Sequence, residues 1–288
     1  MDFKCGYRGN KADLHTHSCI SDGTYSPSEV VRLAGEDGIG LLALTDHDTV
    51  YGVNEAMLAG EQLGVFVIPG IEIDTMHSEE IHMLGLGIDP SNAKLAEALK
   101  NQMARRSERN VRMVSKLFTL GYDIKGRLGA NSPSMTRLHI ANALVDCGYV
   151  SSREAAFSTL IGQGRPAYVD FDRISTKRAI ELIDGAGGVA VMAHPCKLKG
   201  NVHSIVGELA RAGLWGVEAY YPSATRGQRQ LHISLAMQYG LFVTCGSDFH
   251  GANRPNAALG CTYTGDRLLK EGLSALMSLY LNNNAGDY

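Results

Sequence analysis

Histidine and carboxylate side chains recur in closely spaced pairs along this sequence. His15 and His17 are two residues apart, and so are Asp248 and His250. Residues two apart in an extended strand point to the same side, so each pair can approach one metal ion together. Further ligand-type residues at comparable places are Asp22, His47, Glu72, His82 and His194. Mixed imidazole and carboxylate ligands suit Zn²⁺, Mn²⁺ or Fe²⁺, so the set predicts a transition-metal centre.

The positions of these residues relative to apolar runs strengthen this prediction. His47 follows the apolar run over residues 41–44, and His194 follows the run over residues 189–192. The carboxyl ends of all strands in a parallel barrel lie at one rim, where active sites are built. A core would be filled by apolar residues at lower cost, so packing does not explain histidines at strand ends. We therefore expect the ligand-type residues to converge in space.

Each residue taken singly has an ordinary structural explanation. Glu72 could cap a helix, and Asp22 stands in an Asp-Gly pair typical of turns. Asp46 and Asp48, which flank His47, are interpreted as residues that orient ligands. The repeated placement at strand ends, with two pairs spaced by two residues, favours the metal centre over these separate explanations.

Short apolar runs alternate with amphipathic stretches through most of the chain, which predicts an α/β fold. Near-continuous apolar strands separated by helices indicate a parallel sheet covered on both faces. Ser26 can cap one such helix, with Pro27 at its first position. The predicted strands cover residues 41–44, 65–68, 81–84, 189–192, 215–218 and 241–244, and the helices residues 26–37, 53–63, 176–184, 205–212, 227–239 and 267–281.

Residues 91–164 interrupt the alternation of strands and helices. This stretch is mostly helical in pattern, and we interpret it as a helical insertion domain between barrel segments 1–90 and 165–288. The first part of this stretch carries four arginines, and we expect most of them to lie on a solvated helix face. They are Arg105, Arg106, Arg109 and Arg112.

The composition of the chain limits which partners and which cellular compartment we expect. The chain has 288 residues, 44% hydrophobic and 20% charged, with a formal net charge of -3. That balance offers no basic footprint for a long nucleic-acid duplex, but local cations or metals could hold a small phosphorylated ligand. No run is long enough to cross a membrane, and the first residues lack the apolar core of a secretory signal. Six cysteines without a CxxC pair predict reduced thiols in a cytoplasmic enzyme.

The motifs that carry these residues resemble those of the PHP (polymerase and histidinol phosphatase) family of metal-dependent phosphoesterases. They read DLHTHS from Asp13, DG at Asp22, TDHD from Thr45, GIE at Glu72, AHP at His194 and GSDFH ending at His250. The resemblance implies a distorted (βα)7 TIM-like barrel, and an activity that hydrolyses phosphate monoesters.

The resemblance also implies two to three divalent ions of manganese, zinc or iron, and a partition of the ligands among them. His15, His17, Glu72 and Asp248 would hold the first ion, Glu72, His82 and His194 the second, and Asp22, His47 and His250 the third. It places Glu72, His194 and Asp248 in catalytic positions. The sequence itself does not establish this partition.

A closer resemblance is to the subgroup that removes the 3′-phosphate of nucleoside 3′,5′-bisphosphates and trims short RNA from its 5′ end. The insertion motif from Ser134 to Ala141 matches, with Leu138 in the place of the usual proline. It implies that Arg137 grips a second phosphate, with His139 and Arg165 as lesser candidates. The expected partner is a nucleotide such as AMP or adenosine 3′,5′-bisphosphate, and short RNA is a further one; no membrane partner is expected.

Two other enzymatic functions and one binding function stay open at this point. Another phosphatase of the same class, such as one for histidinol phosphate, would not need Arg137. A metal-dependent amidohydrolase also uses paired histidines, but often relies on a carboxylated lysine, and no lysine occupies a predicted strand end. A metal-binding regulator without activity is the remaining alternative.

Overall fold

The computed structural model describes residues 11–128, 135–260 and 266–284. The chain divides into two compact units: Met1–Glu97 with Ile174–Tyr288, and Ala98–Arg173. The second unit begins and ends somewhat later than the predicted insertion at 91–164, and the predicted domains stay a proposal. The N-terminal segment inspected for a signal, and Ser134 of the insertion motif, lie outside the described residues.

The first unit contains one mostly parallel sheet. Its strands are β1 (Lys11–Thr16), β2 (Ile39–Leu44), β3 (Phe66–Met76), β4 (Glu80–Leu86), β5 (Ile174–Ser175), β6 (Val189–Met192), β7 (Gly216–Tyr220) and β8 (Phe242–Cys245). They are ordered β1-β2-β3-β4-β6-β7-β8, and the short β5 pairs with β3 outside this path.

The direction of β4 differs from the predicted parallel arrangement. β4 is antiparallel to both of its neighbours, β3 and β6. Only residues 77–79 separate β3 from β4, and His77 N–H donates to the Glu79 carbonyl across this turn at 3.0 Å. A parallel connection needs a crossover of a dozen or more residues. A link of this length therefore requires antiparallel pairing.

The two edges of the sheet approach one another just beyond β8. Asp248 N–H donates to the His15 carbonyl at 2.8 Å, and His17 N–H donates to the Phe249 carbonyl at 2.9 Å. These bonds bring the segment after β8 against the end of β1. The predicted class, an α/β fold with a distorted TIM-like barrel, is therefore confirmed.

Helices follow most strands of the sheet. They are α1 (Pro27–Glu36), α2 (Val53–Leu63), α3 (Ala93–Thr119), α4 (Arg137–Asp146), α5 (Arg153–Ala156), α6 (Thr176–Gly185), α7 (Val202–Arg211), α8 (Arg226–Tyr239) and α9 (Arg267–Asn283). Ser26 caps α1 in a capping box with Glu29, and Pro27 is its first residue. Gly64 ends α2 in the left-handed conformation, with φ 71°, before the chain turns into β3.

The core of the first unit lies between the sheet and its covering helices. Leu14, Leu84 and Val191, on three different strands, are fully buried in this layer. Leu276 of α9 packs in the same cluster, and α9 approaches β8 so closely that Gly272 has no room for a side chain. Apolar burial of this kind contributes about 25 cal/mol per Å² and fixes the strands that carry the site.

The second unit packs its helices around an apolar core of its own. Met113 and Leu117 of α3 contact this cluster together with Ile140 and Leu144 of α4. The prediction of a solvated helix face is wrong for Arg106 and Arg109, both of which are only 3% exposed. The Arg109 guanidinium lies 5.0 Å from the centre of the Phe171 ring, a cation–π contact that the helical pattern does not reveal.

Within the described ranges, no helix is both long and apolar enough to cross a membrane.

We predict opposite effects of two glycine substitutions on stability. In Gly272→Ala, the new Cβ would lie 2.2 Å from the Val243 carbonyl oxygen, so α9 must shift away from β8. This should lower the free energy of unfolding by about 1–3 kcal/mol. In the control Gly227→Ala, at an exposed position of α8, the Cβ meets nothing within 4 Å. That change should raise stability by about 0.5–1 kcal/mol.

Urea denaturation of the three proteins measures the difference. Equal stability of Gly272→Ala and wild type would contradict the tight contact between α9 and β8.

Candidate metal centre

Glu72 is the point on which the ligand-type side chains converge. It is 1% exposed and belongs to β3. Its Oε2 atom lies 3.2 Å from Nε2 of His15, 3.2 Å from Nε2 of His17 and 3.1 Å from Nδ1 of His47. Three imidazoles from two different strand ends therefore share one carboxylate oxygen.

The other oxygen of Glu72 faces two more imidazoles. Oε1 lies 2.8 Å from Nδ1 of His82 and 3.0 Å from Nε2 of His194. Glu72 thus has a ligand-type group on each side, the arrangement expected of a carboxylate that bridges two ions.

Asp248 supplies a second carboxylate to the first group. Its Oδ1 atom lies 3.5 Å from Nε2 of His15 and 3.4 Å from Nε2 of His17. Together with Glu72, these residues offer ligand atoms that all lie within 4.8 Å of one another. The same four residues form the first set implied by the family resemblance.

A third group lies on the far side of His17. Asp22 Oδ1 is 3.1 Å from Nε2 of His250, and Asp22 Oδ2 is 3.8 Å from Nε2 of His47. His17 also places a ring nitrogen within this group, which the predicted partition did not include. All nine predicted metal-ligand residues therefore lie in one connected cluster.

Strand geometry explains how residues so distant in sequence meet. His15 is near the end of β1, and His194 follows β6 directly. His82 lies near the start of β4, and the antiparallel direction of β4 brings that start to the same rim. The sequence predicted Glu72 at a strand end, whereas the residue lies inside the long β3.

The donor atoms of this cluster fit metal ions better than they fit one another. Among the described residues, buried atoms without a hydrogen bond include Nε2 of His15, both ring nitrogens of His17, Oε2 of Glu72 and Nε2 of His250. Buried polar atoms normally find a partner, and leaving one without costs about 1–3 kcal/mol. Atoms that converge at 3.1–3.5 Å without hydrogen-bond geometry are disposed to share a cation. The residues present therefore fit divalent metal ions.

Glu72 and the surrounding imidazoles shift one another's pKa values. Burial alone would raise the pKa of Glu72, but His15, His47 and His82 hold it well below the usual value. Burial opposes protonation of His82, yet Glu72 raises its pKa to about 10. Both pKa shifts reflect the attraction between the Glu72 carboxylate and the imidazoles that surround it.

Glu218 supports the cluster and was missed by the sequence analysis. It is fully buried on β7, and its Oε1 lies 3.0 Å from Nδ1 of His15. Its Oε2 accepts a hydrogen bond from the backbone N–H of His194 at 2.6 Å. A carboxylate on the second ring nitrogen fixes the orientation and tautomer of a metal-binding histidine. The available signal was an acidic residue inside an apolar run.

Close packing around Glu218 explains one glycine of the GSDFH motif. A Cβ on Gly246 would lie 2.2 Å from Cβ of His15 and 2.3 Å from Oε1 of Glu218. Any side chain at this position would therefore displace the pair.

Backbone strain is concentrated at the site. Within the described ranges, the non-glycine residues with positive φ are Asp48 (52°), His194 (29°) and Asp248 (56°). Such conformations cost about 1–3 kcal/mol each and persist where the surroundings impose them. Here two of the three belong to the cluster, and Asp48 follows His47 directly.

Two further aspartates fix the backbone around the cluster. Asp13 accepts from the N–H groups of Ser247 and Gly260, both at 2.9 Å, which joins β1 to the segment after β8. Asp46 accepts from Ser18 N–H at 2.8 Å and from Ser21 Oγ at 2.5 Å. Asp46 therefore positions the loop that bears Asp22.

Three other missed residues converge on Asp248. Lys197 Nζ lies 3.0 Å and Tyr221 Oη 2.7 Å from Asp248 Oδ2, and Arg254 Nη1 contacts the same oxygen. Lys197 stands in a short 3-10 turn, Pro195–Lys197, directly after His194. No predicted strand end carries a lysine, because only the turn after β6 brings Lys197 to Asp248.

The proposed substrate-binding residues belong to the second unit. Arg137 begins α4, and its guanidinium lies 5.9 Å from the centre of the Phe157 ring. His139 Nδ1 accepts from Thr136 N–H at 3.1 Å and so closes the capping box of α4. Arg165 is exposed in the loop that follows. Their roles in binding substrate stay predictions.

Comparisons with known proteins agree with the cluster. The family model for the PHP domain matches residues 13–144. A 5′-3′ exoribonuclease from Haemophilus influenzae is 38% identical, over 83% of this chain and 90% of the relative. A 3′,5′-nucleoside bisphosphate phosphatase from Chromobacterium violaceum is 34% identical, over 87% of this chain and 90% of the relative.

Solved structures show the same architecture. A Chromobacterium violaceum protein described as an amidohydrolase, with bound sulfate and no metal, superposes with a TM-score of 0.86 at 32% identity. It covers 93% of this chain, and 96% of that protein is matched. A Bifidobacterium adolescentis protein described as a metal-dependent phosphoesterase gives a TM-score of 0.80 at 30% identity, over 93% of this chain and 96% of its own. The fold, the cluster around Glu72 and these relatives together show that the chain belongs to the PHP family.

Proposed function

We propose that this chain, a metal-dependent phosphoesterase of the PHP family, removes the 3′-phosphate of nucleoside 3′,5′-bisphosphates. The observation that carries the proposal is the buried cluster of nine ligand-type side chains centred on Glu72. The similarity to a bisphosphate phosphatase over most of both chains supports the substrate class.

The reaction consumes one water molecule. The water oxygen bonds to phosphorus, the ester P–O bond breaks, and the leaving oxygen takes up a proton. Divalent ions at these ligands, when bound, lower the pKa of water toward neutrality and offset charge on the phosphoryl oxygens. Glu72 and Asp248 supply the negative charge that holds such ions, and Glu218 keeps the His15 ring oriented toward them.

Two to three ions of manganese, zinc or iron are the proposed occupancy. Ligand-type side chains lie at both oxygens of Glu72, and a further group lies around Asp22, which supports more than one ion, since a single tetrahedral or octahedral ion cannot use nine residues. The mixture of imidazole and carboxylate excludes none of the three metals.

Arg137 is the proposed contact for the phosphate that does not react. A guanidinium binds phosphate oxygens bidentately, and this contact would supply binding energy away from the reacting bond. AMP would then be the product of adenosine 3′,5′-bisphosphate hydrolysis. Arg165 and His139 are secondary candidates for the same contact.

Short RNA with a 5′ end is a second candidate substrate, because a relative with 38% identity is named a 5′-3′ exoribonuclease. The amidohydrolase alternative is not favoured, since the two relatives described above are named an exoribonuclease and a bisphosphate phosphatase. A phosphatase for histidinol phosphate would share the cluster and differ at Arg137.

We expect Glu72→Gln to reduce metal loading and abolish turnover without unfolding the protein. Glutamine keeps the volume of the side chain but removes the charge that five imidazoles surround. Changes to outer partners of metal ligands alone cost about 10- to 100-fold, so a loss above about 100-fold is expected here. Elemental analysis should give more than one ion per wild-type chain and fewer in the variant.

Glu36→Gln, which alters an exposed pair with Arg32, is the matched control. It should keep wild-type metal content and rate. A wild-type stoichiometry that stays at or below one after metal loading would contradict the multinuclear centre.

The substrate proposal predicts a loss of selectivity in Arg137→Ala. Wild type should prefer adenosine 3′,5′-bisphosphate to adenosine 3′-monophosphate in kcat/KM. A charge-assisted contact is worth about 1.5–3 kcal/mol, so the variant should lose roughly ten- to a hundred-fold of this preference. Metal content should not change.

Arg112→Ala, at an exposed position of α3, controls for loss of a positive charge. A wild type without preference for the bisphosphate would show the substrate class to be wrong. If Arg137→Ala keeps the preference for the bisphosphate, Arg165 becomes the proposed contact for the second phosphate.

A further inference from the structure

Asp248 has two sides with different surroundings. Its Oδ1 faces His15 and His17 in the cluster, at 3.5 and 3.4 Å. Its Oδ2 is contacted by Tyr221 Oη at 2.7 Å, by Lys197 Nζ at 3.0 Å and by Arg254 Nη1. One carboxylate therefore connects the candidate metal ligands to two cations.

The two cations have more donors than this carboxylate can use. A carboxylate oxygen has two lone pairs, whereas an ammonium and a guanidinium together carry eight N–H donors. Within the described part of the chain, Asp248 is the polar partner of both the Lys197 and the Arg254 side chain. Most of their N–H groups remain available to a ligand.

Both cations are partly exposed to solvent, although the carboxylate that they contact is buried. The side chain of Lys197 is 40% exposed and that of Arg254 38%, whereas the side chain of Asp248 is 2% exposed. Both cations therefore combine access to solvent with direct contact to a candidate metal-ligand carboxylate. An anion drawn to the cluster would meet both of them.

Charge balance points to the identity of that anion. When Asp248 shares its charge with bound ions, it no longer neutralises Lys197 and Arg254. Two neighbouring positive groups then face a site already rich in cations, which suits a phosphoryl dianion.

We propose that Lys197 and Arg254 bind the non-bridging oxygens of the phosphoryl group that undergoes hydrolysis. Tyr221 holds Asp248 in place between them and the cluster. The proposal rests on the proposed phosphoesterase function and assigns the reacting phosphate to these residues, whereas Arg137 serves the second phosphate.

A purely structural role for the two cations predicts a different result. Partly exposed ion pairs contribute little to stability, so their removal would then alter the melting temperature slightly and leave phosphate affinity unchanged.

The test compares Lys197→Ala, Arg254→Ala and Lys197→Arg with the control Lys199→Ala. Lys199 is exposed two residues further on, and no contact links its side chain to Asp248 among the described residues. The readouts are affinity for inorganic phosphate by calorimetry on the metal-loaded protein, kcat/KM for adenosine 3′,5′-bisphosphate, metal content and melting temperature.

We expect each alanine variant to lose roughly ten- to a hundred-fold in phosphate affinity and in kcat/KM, with metal content unchanged. Lys197→Arg should retain most of both, and Lys199→Ala all of both. Unchanged phosphate affinity in the alanine variants would overturn the proposal, and so would a loss that follows loss of metal.

The outcome also separates this proposal from the function on which it rests. If wild type hydrolyses no phosphate ester, the proposed function fails whatever the variants do. If wild type is active and phosphate affinity is insensitive to both cations, only the assignment of Lys197 and Arg254 fails.

Discussion

Five imidazoles crowd around the buried carboxylate of Glu72, and much of the structure depends on this arrangement. Removing a carboxylate from water costs several kcal/mol unless positive charge and hydrogen bonds compensate it. The histidines provide only part of that compensation, because their ring nitrogens approach Glu72 without forming a complete set of hydrogen bonds. Divalent ions between these atoms would satisfy the carboxylate and the imidazoles together, which makes metal binding and the stability of the rim one property.

Turns and close contacts in the barrel bring the ligand-type side chains to Glu72. The hairpin between β3 and β4 reverses β4, so His82 reaches the rim from the start of a strand. Gly246 leaves space for the buried contact between Glu218 and His15. The positive φ of His194 and Asp248 is held by hydrogen bonds on both sides of the site. The surrounding fold therefore carries the local cost of orienting the ligands.

Local patterns predicted the parts of the structure that depend on near neighbours. The pair His15 and His17 was recognisable from its spacing, and the capping residue Ser26 from the motif around it. Glu218, by contrast, meets His15 across a sequence separation of 203 residues, and no local spacing encodes that contact. Lys197 escaped notice for a similar reason, since only the turn after β6 brings it to Asp248. Burial of Arg109 against Phe171 likewise depends on tertiary packing that a helical charge pattern does not contain.

We propose that Glu72 would bridge two or more metal ions, and the proposed function depends on this bridging. Anomalous diffraction from crystals of the metal-loaded protein, recorded on both sides of the absorption edge of the bound metal, tests it most directly. The account predicts at least two anomalous peaks within bonding distance of the Glu72 carboxylate, one toward His15 and His17 and one toward His194. A single peak that does not contact Glu72, or peaks outside the cluster, would contradict it.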